Sequence, residues 1–496
     1  MKVIKLKQTS RLSTTLDRLP YGDETINGDL KVKKVLPEGV KSGELYKDII
    51  RIAWPSFVEL LLTQLTSMAD LMMVGSMGGK AHPEIGTQAL AAVGLTTQPK
   101  FLLMAAFIAM NTGVTALVAR NKGTNNKEQA NLVVRQGLAF TFLVTILLSI
   151  LGTVFAKPMV IFMGSTEAIV TKWATEYLQI QMIGFLSFAL TSTITASLRA
   201  VGDSKTCMIY NLIANVVNVI FNWILIYGNL GFPELGVAGA SIATVIGQIV
   251  AFAIAFVVIL RGNGFLKLEF NLGFKPDKTV LSNMVSIGFP AMVEQLLMRA
   301  GMIIFAKTVA VLGTTAYATH QVCMNIQALS FMTGQAFAVS ATTLMGQSLG
   351  KRRTDMAQAY CSRTRTVGFA FSILLALVFI FFGKGIVSLY NSDAEIIRIG
   401  GLIMLFVAFL QPVQSAQFII SGGLRGAGDT KSTAIYTFVT VLLVRPIAAI
   451  ILVWAGFGLY GAWAALALDQ IIRSALVLWR YNSGKWKTIK LKEHTT

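Results

Sequence analysis

The segment that decides the fold covers residues 49–77 and reads IIRIAWPSFVELLLTQLTSMADLMMVGSM. It is rich in Leu, Met and Val, and as a helix it is long enough to cross about 30 Å of hydrocarbon. Glu59 and Asp70 are separated by close to three helical turns, so both carboxylates fall on one face about 16 Å apart. Thr63 and Thr66 share that face. The segment therefore predicts a transmembrane helix with one acidic stripe.

The two acids of this helix call for a partner or a function, because an acid at bilayer depth costs roughly 2.5 to 3.5 kcal/mol on insertion scales. Lys100 lies about as deep from the outer side as Glu59 does from the inner side, so these two side chains could meet and neutralise each other. For Glu59, a buried ion pair and a functional role both remain open. Asp70 would then be the acid without an assigned ion-pair partner, which favours a functional role for it.

The composition is that of a membrane protein. Of the 496 residues 54% are hydrophobic and only 14% charged, and the mean hydropathy is +0.64. A soluble globular protein of this length is excluded. The formal net charge of +19 arises from Lys and Arg in short connections and tails, and no nucleic-acid-binding motif accompanies them. We therefore expect the protein to lie in a lipid bilayer, and we do not expect it to bind nucleic acid.

Catalytic and metal-binding patterns do not occur in the sequence. Cys207, Cys323 and Cys361 lack metal or redox spacing. The chain contains no HExxH, no GxSxG and no P-loop motif. We expect neither an enzyme nor a bound cofactor, and these patterns predict no metal site.

Twelve apolar segments predict an all-α polytopic protein with twelve transmembrane helices in two six-helix bundles. The predicted spans are 49–77, 90–118, 131–156, 168–197, 206–228, 237–260, 284–310, 315–348, 356–382, 395–422, 432–455 and 460–480. The predicted regions are a mostly disordered N-terminal tail (1–46), an N-terminal bundle (47–262), a linker (263–283), a C-terminal bundle (284–482) and a C-terminal tail (483–496).

Positive charge alternates between successive connections, which predicts the orientation. One side carries clusters, and the other carries isolated cations such as Lys80, Lys157 and Lys384. The clustered cations are Arg120, Lys122, Lys127, Arg199, Lys205, Arg261, Lys267, Lys275, Lys278, Lys351, Arg352, Arg353, Arg425 and Lys431. By the positive-inside rule, both termini, both tails and the linker are cytoplasmic, and we expect a multi-pass protein of the plasma membrane.

The two halves of the chain are copies of each other. The loop LRAVGDSK at 198–205 recurs as LRGAGDTK at 424–431. Pro55 and Glu59 recur as Pro290 and Glu294, and further matches follow in the same order at offsets of 222 to 235. Six spans per copy is an even number, so the copies share one orientation and are related by an axis along the membrane normal. Two bundles with a cleft between them are typical of transporters.

The repeated loop has a structural interpretation. Its glycines permit a tight turn, and Asp203 and Asp429 can cap the helices that follow. Arg199, Arg425 and the lysines of the loops are expected to bind the cytoplasmic membrane interface.

These motifs together resemble the multidrug and toxic compound extrusion (MATE) family. The resemblance is carried by the proline-led first span ending in Asp70 and VG, by TALVAR at 115–120, by the two LRxxGD[ST]K loops and by the 6+6 repeat. It covers about residues 47–482 and implies an antiporter that exports bulky, often cationic or aromatic, small molecules in exchange for Na⁺ or H⁺.

The resemblance also implies site residues. Members of this family commonly place their cation-responsive acid at the position that matches Asp70. Many also carry an Asn followed four residues later by an Asp in the fifth span, where this sequence has Asn218 and Asn222. Asn222 cannot titrate, which speaks against a carboxylate dyad, but its carbonyl oxygen could bind Na⁺. We expect cation coupling at Asp70, Asn218 and Asn222.

Other buried charges have open assignments. Glu294 and Arg299 in the seventh span could take part in transport or pair structurally, as could Glu59 and Lys100. For Arg445, Asp469 and Arg473 we expect structural pairing. His320 is interpreted as a hydrogen-bonded packing residue.

The sequence thus predicts a cation-coupled antiporter that works by alternating access of a cleft between two bundles, with a monomer as the default because one chain contains both halves. The alternative is a flippase for lipids or lipid-linked precursors with the same architecture, which would need a cleft lined by several Arg and Lys.

Overall fold

The computed structural model describes residues 14–22, 36–79, 82–262, 264–269, 271, 273–390 and 393–489, and this part of the chain is helical throughout its regular structure. The helices of the first half are α1 (Ser42–Gly75), α2 (Pro83–Gly123), α3 (Lys127–Val154), α4 (Ala156–Phe162), α5 (Ala168–Ala200), α6 (Ser204–Tyr227) and α7 (Gly236–Arg261). Those of the second half are α8 (Lys278–Ala310), α9 (Thr314–Gly350), α10 (Thr354–Ser388), α11 (Ala394–Gly426), α12 (Thr430–Thr437), α13 (Arg445–Leu452) and α14 (Gly458–Asn482). The predicted all-α fold is confirmed.

The last helical stretch supplies two membrane spans. Within the described residues, 11 stretches are long and apolar enough to cross a membrane, and the last of them runs over Thr430–Asn482. Its 53 residues would measure about 80 Å as one straight helix, far more than a bilayer core. The chain breaks at Gly456 (φ 89°) and Gly458 (φ 51°), where a side chain would be strained. Two spans result, and the predicted total of twelve is confirmed.

The helices extend beyond the predicted apolar segments. For example, α1 begins at Ser42 instead of residue 49, and α2 covers Pro83–Gly123 instead of 90–118. The cause is that polar residues at the ends continue a helix outside the hydrocarbon, whereas hydropathy detects only its apolar part. The predicted third span ends in a separate short helix, α4, which the sequence did not reveal.

The internal repeat is visible in the helix boundaries. Equivalent helices end at equivalent residues, because α1 ends at Gly75 and α8 at Ala310, the same offset that relates Glu59 to Glu294. Pro55 and Pro290 lie inside these two helices. Each half has its own apolar core, one around Val114, Ile194 and Tyr210 and the other around Phe305, Ile403 and Trp463. These are the two six-helix bundles of the prediction.

The two halves touch closely at the end that carries the positively charged loops. A Cβ atom on Gly123 would lie 2.0 Å from the Gln347 carbonyl oxygen, and one on Gly350 would lie 2.0 Å from the Arg120 carbonyl oxygen. Gly123 and Gly350 are repeat equivalents, as are Arg120 and Gln347. Only glycine allows the ends of α2 and α9 to pack backbone against backbone in this way.

A short N-terminal segment, Thr14–Gly22, crosses this closed end. The Thr15 amide donates to Asp48 of α1 at 2.8 Å, and the Tyr360 hydroxyl of α10 donates to the same carboxylate at 2.8 Å. Lys351 donates to the Leu16 carbonyl oxygen at 2.9 Å. The expectation of a mostly disordered tail is therefore wrong for residues 14–22, which hydrophobic packing of Leu16 and hydrogen bonds hold in place. Of the rest of the predicted tail (1–46), residues 1–13 and 23–35 lie outside the described residues, and residues 42–46 belong to α1.

Candidate functional site

The candidate site begins with a ladder of asparagines between α1 and α6. The side-chain amides of Asn211, Asn215 and Asn222 on α6 donate to Glu59, Thr63 and Asp70 on α1, respectively. The Asn211 and Asn215 distances are 2.6 and 3.4 Å. Each pair has the same sequence separation of 152 residues, so the two helices run parallel and in register. The acidic stripe predicted for α1 thus faces the amide stripe of α6.

Asp70 lies at one end of this ladder, half-buried, and is held by two amides. Asn222 donates to its carboxylate. In the amide orientation that satisfies both ends of Asn218, this side chain donates to Asp70 Oδ1 at 2.9 Å and accepts from the Thr244 backbone N–H at 3.1 Å. None of the ion pairs among the described residues includes Asp70, so its charge is free to respond to an ion. Asp70, Asn218 and Asn222 are brought together as predicted.

One oxygen at this site lacks a donor. Asn222 is fully buried, and its Oδ1 has no hydrogen-bond partner within the described part of the chain. A buried acceptor without a donor costs about 1 to 3 kcal/mol, which a bound cation would recover. Carboxylate and amide oxygens are suitable ligands for a hard cation, and a carboxylate can also take a proton. The arrangement can therefore hold Na⁺ or H⁺.

Glu59, at the other end of the ladder, does not pair with Lys100. Its carboxylate forms an ion pair with Arg199 at 2.6 Å and accepts from Asn211. The suggested meeting of Glu59 and Lys100 is therefore wrong, because the arginine of the repeated loop reaches back into the bundle. Arg199 is only 18% exposed, so it does not bind the membrane interface as predicted.

The second half repeats this arrangement. Arg425 donates to Glu294 at 2.5 Å, and Thr433 donates to the other carboxylate oxygen at 3.0 Å. Glu294 is thus a structural ion-pair residue, and Arg425 also departs from its predicted interface role. Arg299 does not share this pair. Its guanidinium lies 3.7 Å from the centre of the Phe101 ring, where it joins α8 to α2 through a cation–π contact.

Lys100 contacts a neutral partner. Its ammonium donates to Gln181 Oε1 on α5 at 2.9 Å, and Gln181 in turn lies 3.4 Å from the Ser241 carbonyl oxygen on α7. The Ser241 hydroxyl donates to the Tyr177 carbonyl oxygen at 2.9 Å. These side chains continue the polar region around Asp70 across α5 and α7.

The remaining buried charges are structural. Arg445 donates twice to Asp469, and Arg473 donates to the same oxygen at 3.2 Å, which confirms the expected pairing. His320 packs edge-on against Phe305 and Trp463, but its Nδ1 has no hydrogen-bond partner among the described residues. The packing interpretation is confirmed, but Nδ1 does not make the expected kind of hydrogen bond because aromatic rings lie against the imidazole.

The repeated loops differ in one detail from the prediction. Asp203 caps α6 by accepting from the Thr206 amide at 3.3 Å. Asp429 makes no such cap and binds Arg480 at 2.7 Å and the Ser432 hydroxyl at 2.7 Å. The Asp429 carboxylate binds Arg480 of α14 instead of the backbone amides at the start of α12.

Sequence reasoning missed several residues of the polar region, namely Tyr177, Gln181, Ser241 and Thr244. Single Ser, Thr and Tyr residues occur throughout the spans, so type alone does not distinguish them. A comparison of the two copies in the sequence could have indicated them. Three of the four have apolar residues at the equivalent positions of the other half, and the equivalent of Ser241 is Trp463.

A family model named MatE matches the chain over residues 55–224 and 290–451, with one match in each half. Together the two ranges cover well over half of the chain. The chain belongs to the MatE family. Members of this family are membrane transporters, so this MATE protein is a multi-pass transporter and not an enzyme. The resemblance inferred from the sequence motifs is confirmed.

Several relatives match this MATE protein over nearly their whole length. The probable multidrug resistance protein NorM of Thermotoga maritima is 28% identical over 446 residues, which are 90% of this chain and 94% of the relative. The uncharacterized transporter YisQ of Bacillus subtilis is 27% identical over 441 residues, 88% of this chain and 94% of that protein.

Solved structures share the fold. One, described as the outward-facing conformation of a multidrug resistance MATE family transporter of the MOP superfamily, aligns with a TM-score of 0.82 at 20% identity. The alignment covers 92% of this chain and 100% of the other. A structure described as MATE in the bent conformation aligns with a TM-score of 0.81 at 21% identity, over 91% and 99% of the two chains.

Proposed function

We propose that this MATE transporter is an antiporter of the plasma membrane that exports bulky, cationic or aromatic small molecules in exchange for Na⁺ or H⁺. The observation that carries the proposal is Asp70, a membrane-embedded carboxylate that two amides hold and that no ion pair among the described residues neutralises. The export of drug-like molecules is supported by the relatives described as multidrug resistance proteins.

The coupling follows from the cost of charge in a low-dielectric site. When an ion binds at Asp70, Asn218 and Asn222, the net charge and the hydration of the first half change, so the ion stabilises one arrangement of the halves over the other. The closed contact between α2 and α9 would open in the alternative arrangement, with both termini on the cytoplasmic side. Substrate would leave the cleft when the ion takes its place.

The flippase alternative finds no support in the buried cations. A pyrophosphate head group would require several free Arg or Lys side chains in the cleft. Arg199, Arg425, Arg445 and Arg473 instead lie against carboxylates. We therefore retain the antiporter as the one proposed function.

The test uses purified transporter in liposomes loaded with ethidium, a fluorescent aromatic cation, under an imposed Na⁺ gradient or an imposed pH gradient. We expect one of the two gradients to drive ethidium export. We expect Asp70→Asn to reduce export to the level of liposomes without protein, because the variant cannot carry the exchanged charge. Glu84→Gln, which removes a carboxyl from the exposed start of α2, is the matched control and should export normally. Full gradient-driven export by Asp70→Asn would reject the assignment.

A further inference from the structure

Lys100 differs in its partner from Arg199 and Arg425, the arginines of the repeated loops. Arg199 and Arg425 each lie against a glutamate, whereas the Lys100 ammonium donates to the amide of Gln181, which is itself only 2% exposed. Among the residues that the structure describes, no carboxylate lies within ion-pair distance of Lys100. A cation at bilayer depth costs roughly 2.5 to 3.5 kcal/mol, and one neutral hydrogen bond offsets only part of that.

The position of Lys100 connects it with Asp70. Its partner Gln181 contacts Ser241 on α7, and Thr244, one turn along α7, binds Asn218, which in turn binds Asp70. Lys100 and Asp70 therefore lie on two sides of one polar region within the first half, which these hydrogen bonds connect. Opposite charges on two sides of such a region attract each other across a low-dielectric interior, where screening by water and salt is weak.

The internal repeat supplies an independent observation. The offset that relates Gly123 to Gly350 takes Lys100 to Gln327, and the offset that relates Glu59 to Glu294 takes Asp70 to Phe305. The second half thus lacks both the acid and the lysine at the equivalent places. The helix packing that the two halves share therefore does not require a lysine at this position. Lys100 and Asp70 occur together in the first half, which connects the charge of the lysine with that of the aspartate.

We propose that Lys100 is a resident cation of the Asp70 site, against which the coupling ion must compete. This inference rests on the proposed function of Asp70. With the ion bound, two positive charges share the field of one carboxylate, and their repulsion weakens ion binding. Lysine suits this task because its charge is compact and its four-carbon chain is flexible. Lys100 would thereby keep the affinity low enough for the ion to leave on the far side.

The test measures ion affinity in variants of the purified full-length transporter. In liposomes, the half-saturating concentration of the ion that drives wild-type ethidium export is determined for Lys100→Met and Lys100→Arg. We expect it to fall about tenfold in Lys100→Met, because an uncharged side chain no longer repels the ion in this low-dielectric region, while maximal export slows because release is slower. Lys100→Arg keeps the charge and should stay within about threefold of wild type.

Controls separate a structural effect from an electrostatic one. Lys172→Met removes an exposed lysine of α5 and should change neither quantity. Lys100→Gln keeps a hydrogen-bonding group for Gln181 without the charge, so it should behave like Lys100→Met, and it replaces that variant should Lys100→Met not fold.

The outcomes distinguish the two proposals. An unchanged or raised half-saturating concentration in the uncharged variants, with export still abolished in Asp70→Asn, overturns the role of Lys100 and leaves the proposed function intact. Normal gradient-driven export by Asp70→Asn overturns both. A tenfold fall that Lys100→Arg does not reproduce supports the resident cation.

Discussion

The two halves of this transporter share a fold and differ in what they place at equivalent positions. Both contain a glutamate on the first helix bound to the arginine of the repeated loop, Glu59 with Arg199 and Glu294 with Arg425. The polar region around Asp70 in the first half is not repeated at the equivalent positions of the second. The second half has mostly apolar residues at the equivalent positions. The equivalent pairs are Asp70 and Phe305, Tyr177 and Ile403, Gln181 and Val407, Asn218 and Val444, Asn222 and Ala448, Ser241 and Trp463, and Thr244 and Leu466.

The comparison separates scaffold from site. A feature that both copies keep serves what the copies have in common, which is the packing of six helices, and the Glu–Arg pair belongs to this class. Polar residues of one copy whose equivalents in the other copy are apolar are not required for the shared packing. We therefore assign the shared ion pairs to stability, and we propose the polar region of the first half as the ion-coupling site.

The largest expected effect concerns the shared ion pairs. Glu59→Gln and Glu294→Gln each leave an arginine buried without its counter-charge, so each should lower the free energy of unfolding by about 3 to 5 kcal/mol. The measurement is chemical denaturation of the purified protein in detergent micelles. Similar losses in both variants would confirm that the two pairs have one structural role.

The control for this prediction is Glu84→Gln, whose carboxylate is exposed beside His82 and should contribute less than about 1 kcal/mol. The double variant Glu59→Leu with Arg199→Leu removes both charges and should recover much of the lost stability. Wild-type stability in Glu59→Gln would contradict the structural assignment.

A smaller effect is expected for the amides that hold Asp70. Asn218→Ala removes a hydrogen bond to a charged group, and we expect the half-saturating concentration of the driving ion to change about tenfold, equivalent to about 1.4 kcal/mol. The equivalent change in the other half, Val444→Ala, should leave it unaltered. Both are measured by ethidium export from liposomes. Equal effects of the two substitutions would contradict the asymmetry between the halves.

The smallest effect distinguishes the aspartates of the two repeated loops. Asp429→Asn weakens a buried contact with Arg480 and should cost about 1 to 2 kcal/mol of unfolding free energy. Asp203→Asn should cost less than about 0.5 kcal/mol, since Asn caps a helix about as well as Asp. Denaturation of both variants side by side measures the difference, and a reversed order would show that the contact between Asp429 and Arg480 contributes little to stability.

The sequence by itself determined the membrane class, the twelve spans, the repeat and the acidic stripe of α1. These follow from hydropathy, helical periodicity and repeated motifs, all of which are local along the chain. The resemblance to the MATE family also implied Asp70, Asn218 and Asn222 as one site, and the i, i+4 spacing of the two asparagines puts them on a single helix face.

Only the tertiary structure decided which charges meet. Arg199 could face the membrane interface or Glu59, and Lys100 could face Glu59 or Gln181, because a long flexible side chain reaches several neighbours at similar cost. The choice depends on how far each helix is turned and shifted against the next, which packing of the whole bundle sets. For the same reason the sequence could not show that Thr14–Gly22 binds to both halves. It also could not show that Asp429 binds Arg480 instead of capping α12.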